Sequence, residues 1–172
     1  MASHAAGLML PLWTPWPLPS GWQVAGHGHV GDPANGRATV FACRGPNPVG
    51  GEDAELLVVA EEPGTGLGSR LAGLSSPDPG PEFGFGMPQA KVLITGRPTS
   101  LWWVSSAAPD RAVYAGEAAG RWIWLILHPE SAGALLMEEL SLADVRDLGL
   151  EVELLKYGDL SPRLQLADDG DD

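Results

Sequence analysis

The sequence predicts an α+β fold: one domain built on a mixed, mainly antiparallel sheet, with short helices concentrated in the C-terminal third. Three observations carry this. Apolar runs of strand length, such as 56–60 and 122–127, recur between turn signals along most of the chain. Helical patterning gathers after His128. The order is strands first and helices late, with no regular β-α-β alternation. A chain of 172 residues is the length of one domain. The domain is expected over residues 1–164, followed by an acidic, disordered tail over 165–172.

The first element is the most informative. Residues 12–22 read Leu-Trp-Thr-Pro-Trp-Pro-Leu-Pro-Ser-Gly-Trp and hold three of the seven tryptophans. Pro15, Pro17 and Pro19 fix φ and remove backbone donors, which excludes a helix or a central strand. The segment is expected to run extended, close to polyproline II. Its indoles must pack on something outside it. It is either a strap on the chain's own core or a surface offered to a partner through Trp13, Trp16 and Trp22.

Residues 22–30 and 37–44 suit two strands of an antiparallel hairpin with a longer loop. The loop 45–51, Gly-Pro-Asn-Pro-Val-Gly-Gly, follows. A third strand spans 55–61, and its continuously apolar centre predicts cover on both faces. Residues 67–74 suit a short helix weakened by Gly68 and Gly73. The proline-rich stretch 75–88 is loop. Strands are expected at 91–95 and 101–105, separated by Gly96-Arg97-Pro98. Residues 112–118 and 121–128 make the clearest hairpin, closed at Ala119-Gly120. In its second strand Trp122, Trp124 and Ile126 share one face and Ile123, Leu125 and Leu127 the other, so it should be covered on both sides. Residues 129–140 read as a helix. Ser141-Leu142-Ala143-Asp144 resembles a capping box opening a short helix that Gly149 ends. Residues 152–157 suit a last strand or helical turn.

The net charge is −12, with only ten Lys and Arg and no run of them. A duplex-binding surface needs clustered basic residues to release counterions. Nucleic acid and anionic membrane surfaces are therefore excluded as partners, while a basic protein partner or self-association fits. Cys43 stands alone, which rules out an internal disulfide and a cysteine-rich zinc site. It lies in an apolar run and reads as a buried hydrophobe. No apolar run reaches the ~20 residues that span a bilayer. The amino terminus lacks the basic first region of a secretory signal, so a cytoplasmic location is expected.

Three blocks together carry a resemblance: Trp13 to Trp22; Gly45 to Gly51 leading to Ala60-Glu61-Glu62-Pro63-Gly64; and Asp110 to Gly120. They resemble a family of uncharacterised actinobacterial proteins, over most of Pro11 to Leu164. Some members carry the label phosphotransacetylase. Fuller members have a cysteine-rich, zinc-ribbon-like stretch before the Trp-Pro segment. This chain lacks that stretch, so a later start is expected and no metal role transfers to it. Phosphate acetyltransferases have a longer, two-domain α/β architecture whose alternation is not evident here.

Four constellations are candidates for chemistry. Gly64-Thr65-Gly66-Leu67-Gly68-Ser69-Arg70 follows a strand and opens a helix, where backbone N–H groups can cradle a phosphate. Gly64, Gly66, Gly68, Ser69 and Arg70 are thus weak anion-binding candidates. The spacing is neither G-x-G-x-x-G nor a P-loop, and Glu61 and Glu62 repel an anion. The bland reading is a sharp turn. His27 and His29 share one strand face, and with Asp32 they form a metal-like trio that reads more simply as a surface pair. Glu117, Arg121 and His128 suit an ordinary structural pair, with no nucleophile beside them; Ser105-Ser106 lies in no G-x-S-x-G elbow. The fourth is the aromatic set itself, with Trp102, Trp103, Trp122 and Trp124 added to the first three. No catalytic residue, metal or cofactor is implied. The expected function is a non-catalytic protein-interaction or scaffold module using the Trp-Pro surface. The alternative is a small enzyme or ligand-binding domain for an acyl phosphate or other phosphorylated metabolite.

Overall fold

The structure, a computed structural model, describes residues 10–31, 37–81, 83–138, 140–149 and 155–164. Nine strands form one sheet: β1 (Trp13–Pro15), β2 (Gln23–Val30), β3 (Ala38–Gly45), β4 (Ala54–Glu61), β5 (Ala90–Ile94), β6 (Arg97–Trp103), β7 (Ala112–Ala118), β8 (Arg121–His128) and β9 (Leu140–Asp144). Their spatial order is β1-β9-β5-β6-β7-β8-β4-β3-β2. The pair β5–β9 is parallel and the other pairs are antiparallel.

The sheet curls because β6 changes partners along its length. Arg97 to Leu101 pair with β5, whereas Trp102 and Trp103 pair with β7. The curl brings β1 back towards β3, where the Thr39 hydroxyl donates to the Pro11 carbonyl. Strand periodicity then sorts the apolar residues into two cores. The inner face gathers Phe41, Leu56, Val58, Leu101, Ile123, Leu125 and Leu127, closed over by Trp13 and Trp22. The outer face carries Val40, Leu57, Val59, Trp124 and Ile126 beneath α1 (Leu67–Ala72) and Leu164. Both expectations of two-sided cover are met: all of β4 and the stretch 123–128 of β8 are buried.

The α+β expectation is overturned. The chain is largely all-β, and the helices among the described residues are few and short, including α1 (Leu67–Ala72), a 3-10 helix at Glu130–Met137, and α2 (Val145–Leu148), and are not concentrated at the C-terminal end. Residues 140–144 alternate in burial and form β9, held between β5 and β1. The capping pattern is real but sits one element later. Asp144 caps α2 by accepting from Arg146 N, and Gly149 ends it. The expected helix at 129–140 is a 3-10 segment that closes the end of the inner core with Ala132, Leu135 and Leu136.

Two smaller differences share one cause, the sheet edge. The Trp-Pro segment contributes a true strand, β1, but an edge strand three residues long, where proline is tolerated. Pro98 lies inside β6, on the part whose only ladder partner is β5. The hairpin of β2 and β3 forms as expected, with its turn at 32–36 outside the described residues. The tail 165–172 and the first half of the expected last element at 152–157 also lie outside them. Residues 156–161 run along β2, where Gly158 N and Ser161 N donate to the Val24 and Ala25 carbonyls. Among the described residues no helix is long and apolar enough to cross a membrane.

Candidate functional site

The Trp-Pro segment lies on the core. Trp13 and Trp22 are both 4% exposed. Trp16 is half-buried and lines a groove of about 280 Å³ with Pro17, Leu18 and Pro19. The second tryptophan pair splits as strand geometry requires. Trp102 sits opposite Ala115 and stacks edge-on with Phe83, while Trp103, opposite Tyr114, is 49% exposed.

The glycine turn serves an internal carboxylate. Glu61, at the end of β4, is fully buried; its Oε2 accepts from Gly68 N (3.2 Å) and its Oε1 from Trp124 Nε1 (2.7 Å). Burial holds the Glu61 carboxyl above its ordinary range, against the lowering effect of those donors. Gly66 starts α1 with φ of +93°, a conformation glycine adopts freely. Gly68 is obligatory for a different reason: a Cβ there would strike the Trp124 indole. Ser69 is buried and donates to the Ser76 carbonyl, and Arg70 is exposed.

His27 and His29 sit opposite Phe41 and Thr39 on one side of β2; Asp32 lies outside the described residues. Among the described residues, no group of three His, Cys, Asp or Glu is arranged to hold a metal. The third constellation comes apart. Arg121 and His128 stand at opposite ends of β8, about 23 Å apart at ~3.3 Å per residue. Glu117 faces Trp122 across the hairpin, and Arg121 faces Ala118.

His128 instead joins residues that the sequence did not single out. It pairs in register with Glu55, on the outer face near the start of β4. Glu55 is 4% exposed and held from three sides: Arg44 Nη2 donates to Oε2 (3.1 Å), and Arg163 Nη1 (3.0 Å) and Ser161 Oγ (2.7 Å) donate to Oε1. The closing segment 161–164 is thereby pinned over the sheet, and its Leu164 fills the outer core. Between these groups opens a cavity of about 300 Å³, walled also by Glu52, Asp53 and Asp110. One signal for this site was available. Glu55 and Glu61 flank the apolar centre of a doubly covered strand, and a carboxylate there needs partners.

His128 is 5% exposed, and its Nε2 is buried without a hydrogen-bond partner among the described residues. Burial, helped by the nearby Arg163 and Arg111 charges, pushes its pKa down to about 4. The imidazole is therefore neutral at pH 7. Cys43, fully buried, has its thiol pushed up by burial and by Glu55, and carries no thiolate.

The His128 shift has a signed consequence. Above pH ~6.5 both folded and unfolded chains hold the ring neutral, so stability there is unaffected by it. As the pH falls from there to about 4, the unfolded chain takes up a proton that the folded chain refuses, and stability drops. The loss is expected to reach about 3 kcal/mol. Glu61 contributes the opposite slope, since its raised pKa costs stability as the pH rises through it. The difference between the native chain and His128→Gln, measured by urea unfolding from pH 7 to 4, isolates the histidine. A flat difference would contradict the assignment.

No curated protein and no solved structure matches this chain. A family model does, over residues 2–164, and so the protein belongs to DUF6758, a family of unknown function.

Proposed function

We propose that the protein is a non-catalytic binding module and that the cavity between Glu55 and His128 is its recognition site. The observation that carries this is His128 Nε2, a buried polar atom without a partner among the described residues, on a residue that lines an open cavity. Such atoms are rare in folded proteins and call for an explanation. A perturbed histidine in a cleft is a site candidate on physical grounds. The cavity suits a small occupant. Arg44 and Arg163 are engaged by Glu55, whereas Glu52 and Asp53 at the rim are exposed and form no ion pair among the described residues. A neutral imidazole beside free carboxylates fits a small ammonium-bearing molecule.

The test is titration with methylamine, glycine and acetate, followed by thermal unfolding and by the His128 imidazole resonances. The two ammonium compounds are expected to raise the melting temperature by mass action and to move the His128 signals, and acetate is not. His128→Phe should abolish both responses. Absence of any response to the ammonium compounds removes this reading.

The groove at Trp16 supports a second reading, a protein-docking surface. It fits the interaction role that the Trp-Pro segment suggests, with Trp13 and Trp22 serving as anchors. A phosphorylated-metabolite role at the glycine turn, in line with the phosphotransacetylase label of the actinobacterial proteins this chain resembles, has less support, because the Gly68 amide already serves Glu61.

A further inference from the structure

A wide cleft lies elsewhere, at the mouth of the inner face opposite the 3-10 helix. It measures about 620 Å³ and is lined by β1, β9, α2 and the turns of two hairpins. We propose that this mouth binds a small oxyanion, a phosphate or carboxylate group, between Arg97 and Arg121.

The two hairpins that build it are alike. Each closes with a two-residue turn in which both residues have positive φ: Thr95 (+48°) and Gly96 (+83°) in one, Ala119 (+54°) and Gly120 (+76°) in the other. That is the primed turn whose twist matches paired strands. Each turn is followed at once by an arginine, Arg97 opposite Ile94 and Arg121 opposite Ala118. Ile94 belongs to the inner core and Ala118 packs against it, so both arginines occupy the inner-face position at the rim. Along β8 the inner row runs Arg121, Ile123, Leu125, Leu127, from charge at the mouth to apolar depth. Along β6 it runs Arg97, Thr99, Leu101.

The charges at this mouth are unequally engaged. Arg146 is held by Asp144, with Nη2 at 2.6 Å from Oδ2. Asp144 also accepts from Leu12 N and caps α2. Glu117, in register with Trp122, and Asp147 also line this cleft. Arg97 and Arg121 form no ion pair among the described residues. Arg121 Nη1 reaches the Ala119 carbonyl at 3.3 Å, and its Nε is buried with no hydrogen-bond partner among the described residues. An unpaired guanidinium donor in a water-poor position binds a planar or tetrahedral oxyanion well, because the fork of N–H groups matches its oxygens. The wall itself is strained. Thr95 is β-branched, and such residues are outliers at positive φ. Three of the chain's ten basic residues line this cleft, beside Glu117, Asp144 and Asp147, and of the acids Asp144 is taken up by Arg146.

This site is independent of the His128 cavity, at the other end of β8, and has a separate test. The arginine Nε–Hε resonances are followed while inorganic phosphate, succinate or sodium chloride at matched ionic strength is added. Saturable shifts of the Arg121 and Arg97 signals with phosphate or succinate are expected, and chloride should not reproduce them. Saturation by phosphate alone assigns a phosphoryl ligand, and saturation by succinate alone a carboxylate. Arg97→Ala, at an exposed position, should leave the fold intact and weaken the anion at least tenfold; Arg121→Lys should weaken it similarly. Arg70→Ala, in the glycine turn, should change nothing. Shifts matched by chloride, or binding unchanged in both Arg97→Ala and Arg121→Lys, would overturn the proposal.

Discussion

Replacing Glu61 by alanine is expected to remove about 3–5 kcal/mol of folding stability, a large share of what a domain of this size possesses. The carboxylate is fully buried and accepts from two donors, the Trp124 indole N–H and the Gly68 amide. Its loss leaves both buried and unpaired at ~1–3 kcal/mol each, and opens a void between β4 and α1. Glu61→Gln keeps the volume and one acceptor oxygen, and is expected to cost less than half as much. Trp124→Phe should fall between them, because it strands one carboxylate oxygen and leaves a small void while keeping an aromatic ring in place. Denaturant unfolding of the three variants gives the ranking. A loss under 1 kcal/mol for Glu61→Ala would show that the two donors find other partners, and would reopen the glycine turn to an external anion.

The second large effect is expected at the strap. Trp22→Ala should cost about 3–5 kcal/mol, the range for deleting a large aromatic from a packed core. Trp22 is 4% exposed and lies against Gly45, where even a Cβ would collide with the indole. Trp13→Ala should cost a similar amount, for the same reason. Trp16→Ala should cost far less, since its ring is only half-buried. Thermal or urea unfolding separates the three. Sedimentation of folded Trp16→Ala beside the native chain then tests docking alone. Equal losses at all three positions, with no change in association, would leave the segment as a strap and nothing more.

Where continuous apolar runs of strand length stood between turn signals, the sequence was legible. Leu56 to Ala60 and Trp122 to Leu127 declared strands buried on both sides, and Ala119-Gly120 marked its turn. Legibility failed where a local signal had two physical meanings. Ser141 and Asp144 fit a helix-start pattern, yet Leu140 and Leu142 alternate into the inner core, and tertiary pairing with β5 prevailed. Pro15 and Pro98 argued against strands, but the argument holds only for strands bonded on both sides. The candidate site was less legible still. His128 was visible as a residue at a strand end. Its company, Glu55, Arg44 and Arg163, depends on register across the sheet and on a segment 108 residues beyond Glu55. Glu61 was read as a charge that repels anions, when it is itself the anion that the turn receives.

The pairing of the first and last strands sets a kinetic order. Leu12 N donates to Asp144 Oδ1 across a separation of 132 residues, and Trp16 N bonds the Ser141 carbonyl. On the ribosome, the earliest tryptophans emerge long before the strand that receives them exists. Loop closure over such a span is slow, and chains dominated by distant pairings collapse late. The nascent chain must therefore carry bare indoles through most of its synthesis, which makes it a natural client for chaperones that shield apolar surface.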